Sequence, residues 1–172
     1  MRIRGSIDLP GDKSISHRAL MFASIASGES IINNLSTGDD VVSTLRCLKE
    51  CGAIIDKSGQ VKIQGIQLKN PSVKLDCGNS GTTVRLLAGL LAGQGIKAEF
   101  IGDKSLSKRP MNRIIKPLSE MGIKIDSNNG YLPLKINPKK VKSISFNSSV
   151  ASAQVKSCVL LAALGANKRS II

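Results

Sequence analysis

The feature that most constrains the fold of this chain is an internal repeat with a spacing of 70 residues. Residues 48–56 (LKECGAIID) and residues 118–126 (LSEMGIKID) are identical at five of nine positions, including the glycine. Both copies predict the end of a helix, a glycine that caps it and a strand, because glycine adopts the left-handed conformation that closes helices. A period of this length is typical of one repeated supersecondary unit.

Each copy is followed by a further strand candidate, at residues 60–64 and 132–136, and is preceded by a helix, a strand and another helix. The repeated unit is therefore predicted to be β-α-β-α-β-β. A third unit begins at residues 141–146, continues through residues 148–154 and a helix that runs to about Leu164, and stops in mid-unit. We predict an α/β chain of two full units and part of a third, long enough for one domain with a hydrophobic core.

The first charged motif, residues 10–18 (PGDKSISHR), stands at the predicted start of a helix. Its apolar face is expected at Ile15, Ala19, Phe22 and Ala26. Unpaired backbone N–H groups and the positive end of the helix dipole add to the charges of Lys13 and Arg18, which favours a phosphate or carboxylate ligand. Taken alone, the segment also fits a capped surface helix with solvated basic residues.

Two further loops have a similar character. Residues 76–85 (DCGNSGTTVR) predict a strand, a tight glycine loop and a helix, without the lysine of a Walker loop. Residues 102–111 (GDKSLSKRPM) carry Arg109, whose guanidinium suits two-pronged binding of carboxylate or phosphate. An ordinary strand-to-helix turn and a solvated loop are the alternatives. Asp39 and Asp40 are interpreted as the N-terminal charges of another helix.

The net charge of +13 permits nucleic acid as a partner, but the chain has no Trp, one Tyr and three Phe, and its lysines are scattered. Stacking surfaces for bases are therefore absent, and small anionic substrates are the better match. The cysteines show neither metal-ligand spacing nor a disulfide framework; they are Cys47, Cys51, Cys77 and Cys158. With no signal-like start and no long apolar span, we expect a reducing cytoplasm and no membrane contact.

Four motifs carry a resemblance to a known family. Residues 11–18 (GDKSISHR), 78–82 (GNSGT), 109–111 (RPM) and 152–154 (SAQ) resemble, in this order, the signatures of the 5-enolpyruvylshikimate-3-phosphate (EPSP) synthases. The resemblance spans the whole chain. It implies transfer of the enolpyruvyl group of phosphoenolpyruvate to the 5-hydroxyl of shikimate 3-phosphate, with release of phosphate, in the shikimate pathway to chorismate and the aromatic amino acids. No metal or organic cofactor is implied.

The resemblance also implies roles for residues on the shikimate 3-phosphate side. Lys13 would contact both substrates and is the expected contributor to catalysis in this segment. Ser14 and Arg18 would hold the carboxylate of shikimate 3-phosphate. Ser152, with the adjacent Ala153, would bind the 3-phosphate.

On the phosphoenolpyruvate side, the resemblance places Asn79, Gly81 and Thr82 along the pocket and Arg109 on the anionic groups. Gln154 would lie between the two ligands. Gly81 would also face the part of the pocket that phosphoenolpyruvate shares with the herbicide glyphosate. His17, the only histidine, is expected to have a positional role rather than to carry a proton.

The family's fold implies an inside-out α/β barrel: two domains, each of three β-α-β-α-β-β units with helices inside and sheets outside, enclosing the substrate cleft. Residues 1–12 would form a strand segment that pairs with the C-terminal domain, and residues 13–172 an incomplete N-terminal domain. Family members run to more than twice this length, and the absent C-terminal domain supplies the proton-handling carboxylates. The segment alone is therefore expected to be inactive, with that domain as its covalent partner.

Two alternatives remain open. UDP-N-acetylglucosamine enolpyruvyl transferases share the fold, but they resemble Lys-Asn at the first motif and carry a reactive cysteine before Arg-Pro. This chain has Lys13 and Ser14 there, and no cysteine between Asp103 and Pro110. The second alternative, from a different class, is a non-catalytic fragment that retains half of a substrate-binding site.

Overall fold

The computed structural model describes residues 4–57, 60–148 and 151–172. The helices are α1 (Lys13–Ile25), α2 (Asp39–Glu50), α3 (Gly81–Gly93), α4 (Asn112–Glu120) and α5 (Ala153–Ala163), with a 3-10 turn at Leu106–Lys108. The strands are β1 (Gly28–Ile32), β2 (Ile54–Asp56), β3 (Val61–Gly65), β4 (Leu75–Asp76), β5 (Ala98–Ile101), β6 (Lys124–Asn128) and β7 (Tyr131–Asn137). They form two sheets, ordered β1-β3-β2 and β4-β5-β7-β6. No helix in the described ranges is long and apolar enough to cross a membrane.

The predicted repeat is confirmed. Helices α2 and α4 are followed by Gly52 and Gly122, whose φ angles of +90° and +84° are in the left-handed region that glycine tolerates without a Cβ clash. Each glycine leads into an antiparallel hairpin, β2-β3 in one copy and β6-β7 in the other. The two copies thus build the outer edges of the two sheets by the same local sequence.

The third unit begins as the second does. In the second unit, β4 pairs in parallel with β5 on either side of α3, with Leu75 opposite Phe100. In the third, Ser145 forms a parallel bridge with Ile171 on either side of α5. The α/β class and the reappearance of the unit are confirmed. Residues 4–12 contain no strand, residues 1–3 lie outside the described ranges, and pairing of this segment with another domain stays a prediction.

Helix α3 lies at the centre of the helical layer and is buried along nearly its whole length. It packs against α5 over most of its length and also contacts α1 and α2. Gly89 and Gly93 permit this approach, because a Cβ at Gly89 would overlap the carbonyl oxygen of Cys158 and one at Gly93 would lie 2.7 Å from that of Leu161. The sheets flank the helices, as the inside-out architecture implies.

The predicted apolar face of α1 is wrong at three positions: Ile15 is 61% exposed, Phe22 is 47% exposed, and Ala26, the C-cap, is exposed as well. The buried face instead combines apolar and polar side chains; it comprises Ser16, His17, Leu20, Met21, Ala23 and Ser24. Burial of the polar members is possible because they are hydrogen-bonded: His17 Nδ1 lies 2.7 Å from Thr44 Oγ1, and Ser24 Oγ donates to the Leu20 carbonyl at 2.8 Å. A pattern of apolar residues alone could not show these partners.

The buried imidazole generates a prediction about stability and pH. Burial lowers the pKa of His17 from 6.5 to about 4. Since the unfolded chain binds the proton first, the stability contributed by neutral His17 is complete above pH 6.5 and is lost progressively as the pH falls towards 4. We expect the free energy of unfolding to fall by about 2–3 kcal/mol from this source.

Urea unfolding of the wild type and of His17→Asn at several pH values between 7 and 4 measures the effect, because the carboxylates cancel in the difference. The free energy of unfolding should fall more steeply with decreasing pH in the wild type than in His17→Asn. An equal fall in the two proteins would show that the protonation of His17 is not coupled to folding.

Candidate active site

The first turns of α1, α2 and α3 meet at one place. Asp12 caps α1 by accepting a hydrogen bond from the Ile15 N–H at 2.7 Å, which fixes Lys13 in the first turn. Lys13 Nζ then reaches α2, where it forms an ion pair with Asp40 Oδ2 at 3.0 Å. The carbonyl of Asp40 accepts a hydrogen bond from Thr83 Oγ1 of α3 at 3.1 Å. A partly exposed lysine is thereby anchored at the junction of three positive helix ends.

A buried chain of polar groups lies beneath this junction. His17 Nδ1, Thr44 Oγ1 and Thr83 Oγ1 follow one another at 2.7 Å, and Thr83 Oγ1 lies 2.8 Å from Ser80 Oγ. Ser80 caps α3 by accepting from the Thr83 N–H at 3.1 Å. The depressed pKa of His17 keeps the imidazole neutral at pH 7, and its Nε2 has no hydrogen-bond partner among the described residues. This position supports a positional role.

The glycine loop and the loop before α4 are joined by Asn79. Its Oδ1 accepts a hydrogen bond from Arg109 Nη2 at 2.5 Å, and its Nδ2 donates to Asp103 Oδ2 at 2.7 Å. Asp103 also accepts from the Leu106 N–H at 2.7 Å. Hydrogen bonds from the Leu106 N–H and from Asn79 hold the pKa of the Asp103 carboxyl below its usual value, although Asp103 is exposed. Asn79 and Arg109 are thus brought together, 30 residues apart in sequence.

The third motif begins α5 and reaches back to α3. Ser152 caps α5 by accepting from the Val155 N–H at 3.4 Å. Gln154 Nε2 donates to Thr82 Oγ1 at 3.0 Å, and Gln154 Oε1 accepts from Arg85 Nη1 at 2.8 Å. Thr82 and Thr83 are neighbours on α3, so the same helix start connects to α5 on one side and to α2 on the other.

Three arginines converge where these loops meet. Arg85, Arg109 and Arg113 line one open cleft together with Pro110, Ser152, Gln154 and Val155. No carboxylate is among these lining residues in the described part of the chain. Burial, followed by the charges of Arg109 and Arg113, lowers the pKa of Arg85 below its usual value. Such a concentration of positive charge favours an anion with several oxygen acceptors.

The absence of a side chain at Gly81 leaves room for the guanidinium groups of Arg85 and Arg109. A Cβ at Gly81 would lie 2.5 Å from Arg85 Nη1 and 3.5 Å from Arg109 Nη1. Glycine at position 81 therefore makes room for Arg85, in addition to allowing the tight turn.

The structure joins most of the expected site residues through α3. Asn79, Gly81, Thr82, Arg109, Ser152 and Gln154 surround the arginine cleft by the contacts described above. Ser14 is exposed and Arg18 is partly buried on α1, and neither side chain forms a hydrogen bond or ion pair within the described ranges. Ala153 is the exposed first residue of α5.

Sequence reasoning missed Arg85, Arg113 and the second role of Asp40. Arg85 stands one helical turn after Gly81, so its spacing already placed it on the same helix end. Asp40 was interpreted as a helix-terminal charge, and it is one, but it also holds Lys13.

The cysteines behave as small apolar residues. All four are buried and unbridged; they are Cys47, Cys51, Cys77 and Cys158. Burial raises the pKa of the Cys51 thiol to about 12, so this group stays protonated. Within residues 4–57, 60–148 and 151–172, no group of three or more His, Cys, Asp or Glu side chains is arranged to hold a metal ion.

Comparison with known proteins gives one consistent result. The family model described as EPSP synthase (3-phosphoshikimate 1-carboxyvinyltransferase) matches residues 1–172. Relatives named 3-phosphoshikimate 1-carboxyvinyltransferase, from Ruthia magnifica and Geobacillus kaustophilus, are 49% and 48% identical over 99% and 96% of this chain. A solved EPSP synthase from Acinetobacter baumannii is 44% identical, with a TM-score of 0.89 over 94% of this chain and 38% of its own. This chain spans 40% of each of the two relatives.

Proposed function

Because the chain belongs to the EPSP synthase family, we propose that it is the N-terminal part of an enzyme that transfers the enolpyruvyl group of phosphoenolpyruvate to the 5-hydroxyl of shikimate 3-phosphate. Inorganic phosphate is the second product. The observation that carries the proposal is the arginine cleft next to the helix ends that hold Lys13, since each substrate bears one phosphate and one carboxylate.

The chemistry requires two multiply charged anions to lie in contact, which is costly in water-poor surroundings unless cations offset the repulsion. We assign Arg109, with Asn79, Gly81 and Thr82, to phosphoenolpyruvate, and Ser152 and Ala153 to the 3-phosphate. The Arg109–Asn79 hydrogen bond and the Ser152 cap support this division, because both groups are held before a ligand arrives.

On α1, we assign Lys13 to both substrates, and Ser14 and Arg18 to the carboxylate of shikimate 3-phosphate. The exposure of Ser14 and the absence of an internal partner for Arg18 within the described ranges support this assignment, since both groups are available to a ligand. Gln154 lies between the two sides, where it is bonded to Thr82 and Arg85.

Addition of the 5-hydroxyl to phosphoenolpyruvate and elimination of phosphate require proton transfer at both carbon and oxygen. The carboxylates next to the described site are already engaged: Asp40 pairs with Lys13, and Asp103 accepts from Asn79 and the Leu106 N–H. We therefore assign proton transfer to the part of the family's length that this sequence does not cover. In this proposal residues 1–12 pair with that part, and the unbridged cysteines support a reducing cytoplasm as the compartment.

From the proposed function we predict, first, that residues 1–172 alone bind shikimate 3-phosphate weakly and show no turnover. Half of a cleft leaves the ligand solvated, so binding should weaken further with salt. NMR titration should shift signals near Lys13 and Ser152. Phosphate release by the segment, or no shifts at millimolar ligand, would contradict the proposal.

A second prediction concerns Lys13→Ala in the full-length protein that contains this segment. Loss of a cation that faces both anions should lower kcat/KM by about 2–4 kcal/mol in transition-state stabilisation. Lys49→Ala, at the exposed end of α2, removes the same charge away from the site and serves as the control. Steady-state kinetics with both substrates measure the difference. Equal effects of the two substitutions would show that Lys13 does not contact the substrates.

A third prediction concerns Gly81→Ala in the same protein. The added methyl group must displace Arg85 or intrude on the cleft, because its position lies 2.5 Å from Arg85 Nη1. Binding of glyphosate, which is longer, should weaken more than binding of phosphoenolpyruvate. We expect the factor by which the inhibition constant of glyphosate rises to be about ten times the factor by which the KM for phosphoenolpyruvate rises. Unchanged glyphosate inhibition would show that Gly81 does not line the shared pocket.

A further inference from the structure

We infer that Arg85 is a positioning residue that fixes which way the carboxamide of Gln154 faces. This inference rests on the proposed function for the role of Gln154, but its geometry stands independently. The direction of the Arg85 N–H groups, and not the positive charge alone, orients the Gln154 carboxamide.

One guanidinium connects three elements. Arg85 Nη1 donates to the Gly81 carbonyl at 3.3 Å and to Gln154 Oε1 at 2.8 Å, while Nη2 donates to the Pro110 carbonyl at 3.3 Å. These acceptors belong to the first turn of α3, the first turn of α5 and the residue that follows Arg109. Gln154 and Pro110 lie 69 and 25 residues from Arg85 in sequence. A planar group with several fixed donors can make such contacts, whereas a lysine ammonium cannot reproduce them.

The contact with Arg85 determines the orientation of the Gln154 amide. A guanidinium has donors and no acceptor, so the atom that faces it at 2.8 Å must be the amide oxygen. The amide nitrogen is then turned towards Thr82 Oγ1, to which it donates at 3.0 Å. An amide nitrogen has a second N–H, which this orientation reserves for an acceptor on the substrates. Without Arg85, either orientation of the carboxamide would be permitted.

Gly81 and Arg85 form one unit in this arrangement. The space taken by Arg85 Nη1 is the space that a side chain at position 81 would fill. A methyl group there would push the guanidinium away from Gln154, so a change at position 81 should disturb an amide 73 residues further along the chain.

The matched control is Arg113. It lines the same cleft with the same charge, but its side chain is exposed and donates no hydrogen bond to Gln154 in the described ranges. Arg113→Lys therefore shows how the replacement of a guanidinium in this cleft affects the Gln154 amide signals when the orientation of the amide is kept.

The test uses the full-length protein with nitrogen-15 in glutamine side chains, and the Gln154 signals are assigned by their loss in Gln154→Glu. Arg85→Lys should shift the Gln154 side-chain amide signals and speed their exchange with solvent at least tenfold. Gly81→Ala should shift the same signals, and Arg113→Lys should leave them in place. Unmoved signals in Arg85→Lys, or equal shifts in Arg113→Lys, would overturn the inference.

A kinetic cycle separates positioning from mere stabilisation of the fold. Arg85→Lys should lower kcat/KM at least tenfold in the wild type and less than threefold in a Gln154→Ala background, because its effect passes through that amide. Fully additive effects would overturn the inference. If the protein does not catalyse enolpyruvyl transfer, the proposed function fails, and the amide signals still decide whether Arg85 orients Gln154.

Discussion

The close contact between α3 and α5 is the constraint on which the remaining arrangement depends. Gly89 and Gly93 remove side chains where the helices meet, so backbone touches backbone and the two helix starts lie side by side. Only at this separation does Gln154 reach Thr82. Burial of the apolar length of α3 stabilises the layer, at about 25 cal/mol per Å² of apolar surface, and leaves its polar first turn at the edge of the core.

That polar first turn distributes its hydroxyl groups in two directions. Thr83 points into the core, where it bonds to Thr44, Ser80 and the Asp40 carbonyl, and Thr82 bonds outward to Gln154. The inner contacts are buried and neutral, which makes them stable but sensitive to loss of a partner. The outer contacts adjoin guanidinium groups and remain accessible from the cleft. Structural support and ligand recognition thus meet in two neighbouring residues.

Much of this could be predicted from the sequence because glycine has few interpretations at a helix end. Gly52 and Gly122 located both hairpins, and the predicted end of the last helix at about Leu164 is its observed C-cap. The face of α1 could not be predicted, because His17 and Ser24 look solvent-facing until their hydrogen-bond partners are known. The role of Arg85 could not be predicted for a related reason, since two of its acceptors, on Gln154 and Pro110, come from distant parts of the chain. Periodicity reports local burial, and it is silent about contacts between elements.

The different partners of Thr82 and Thr83 have a consequence for the helix that follows them. Neighbouring residues on a helix are rotated by about 100°. The contact of Gly89 and Gly93 with α5 fixes the rotation of α3. One residue inserted or deleted between Thr83 and Gly89 would therefore turn both threonine hydroxyls by about 100° away from their present partners. The spacing between the threonines and the glycines is consequently under stricter physical control than most of the individual side chains between them.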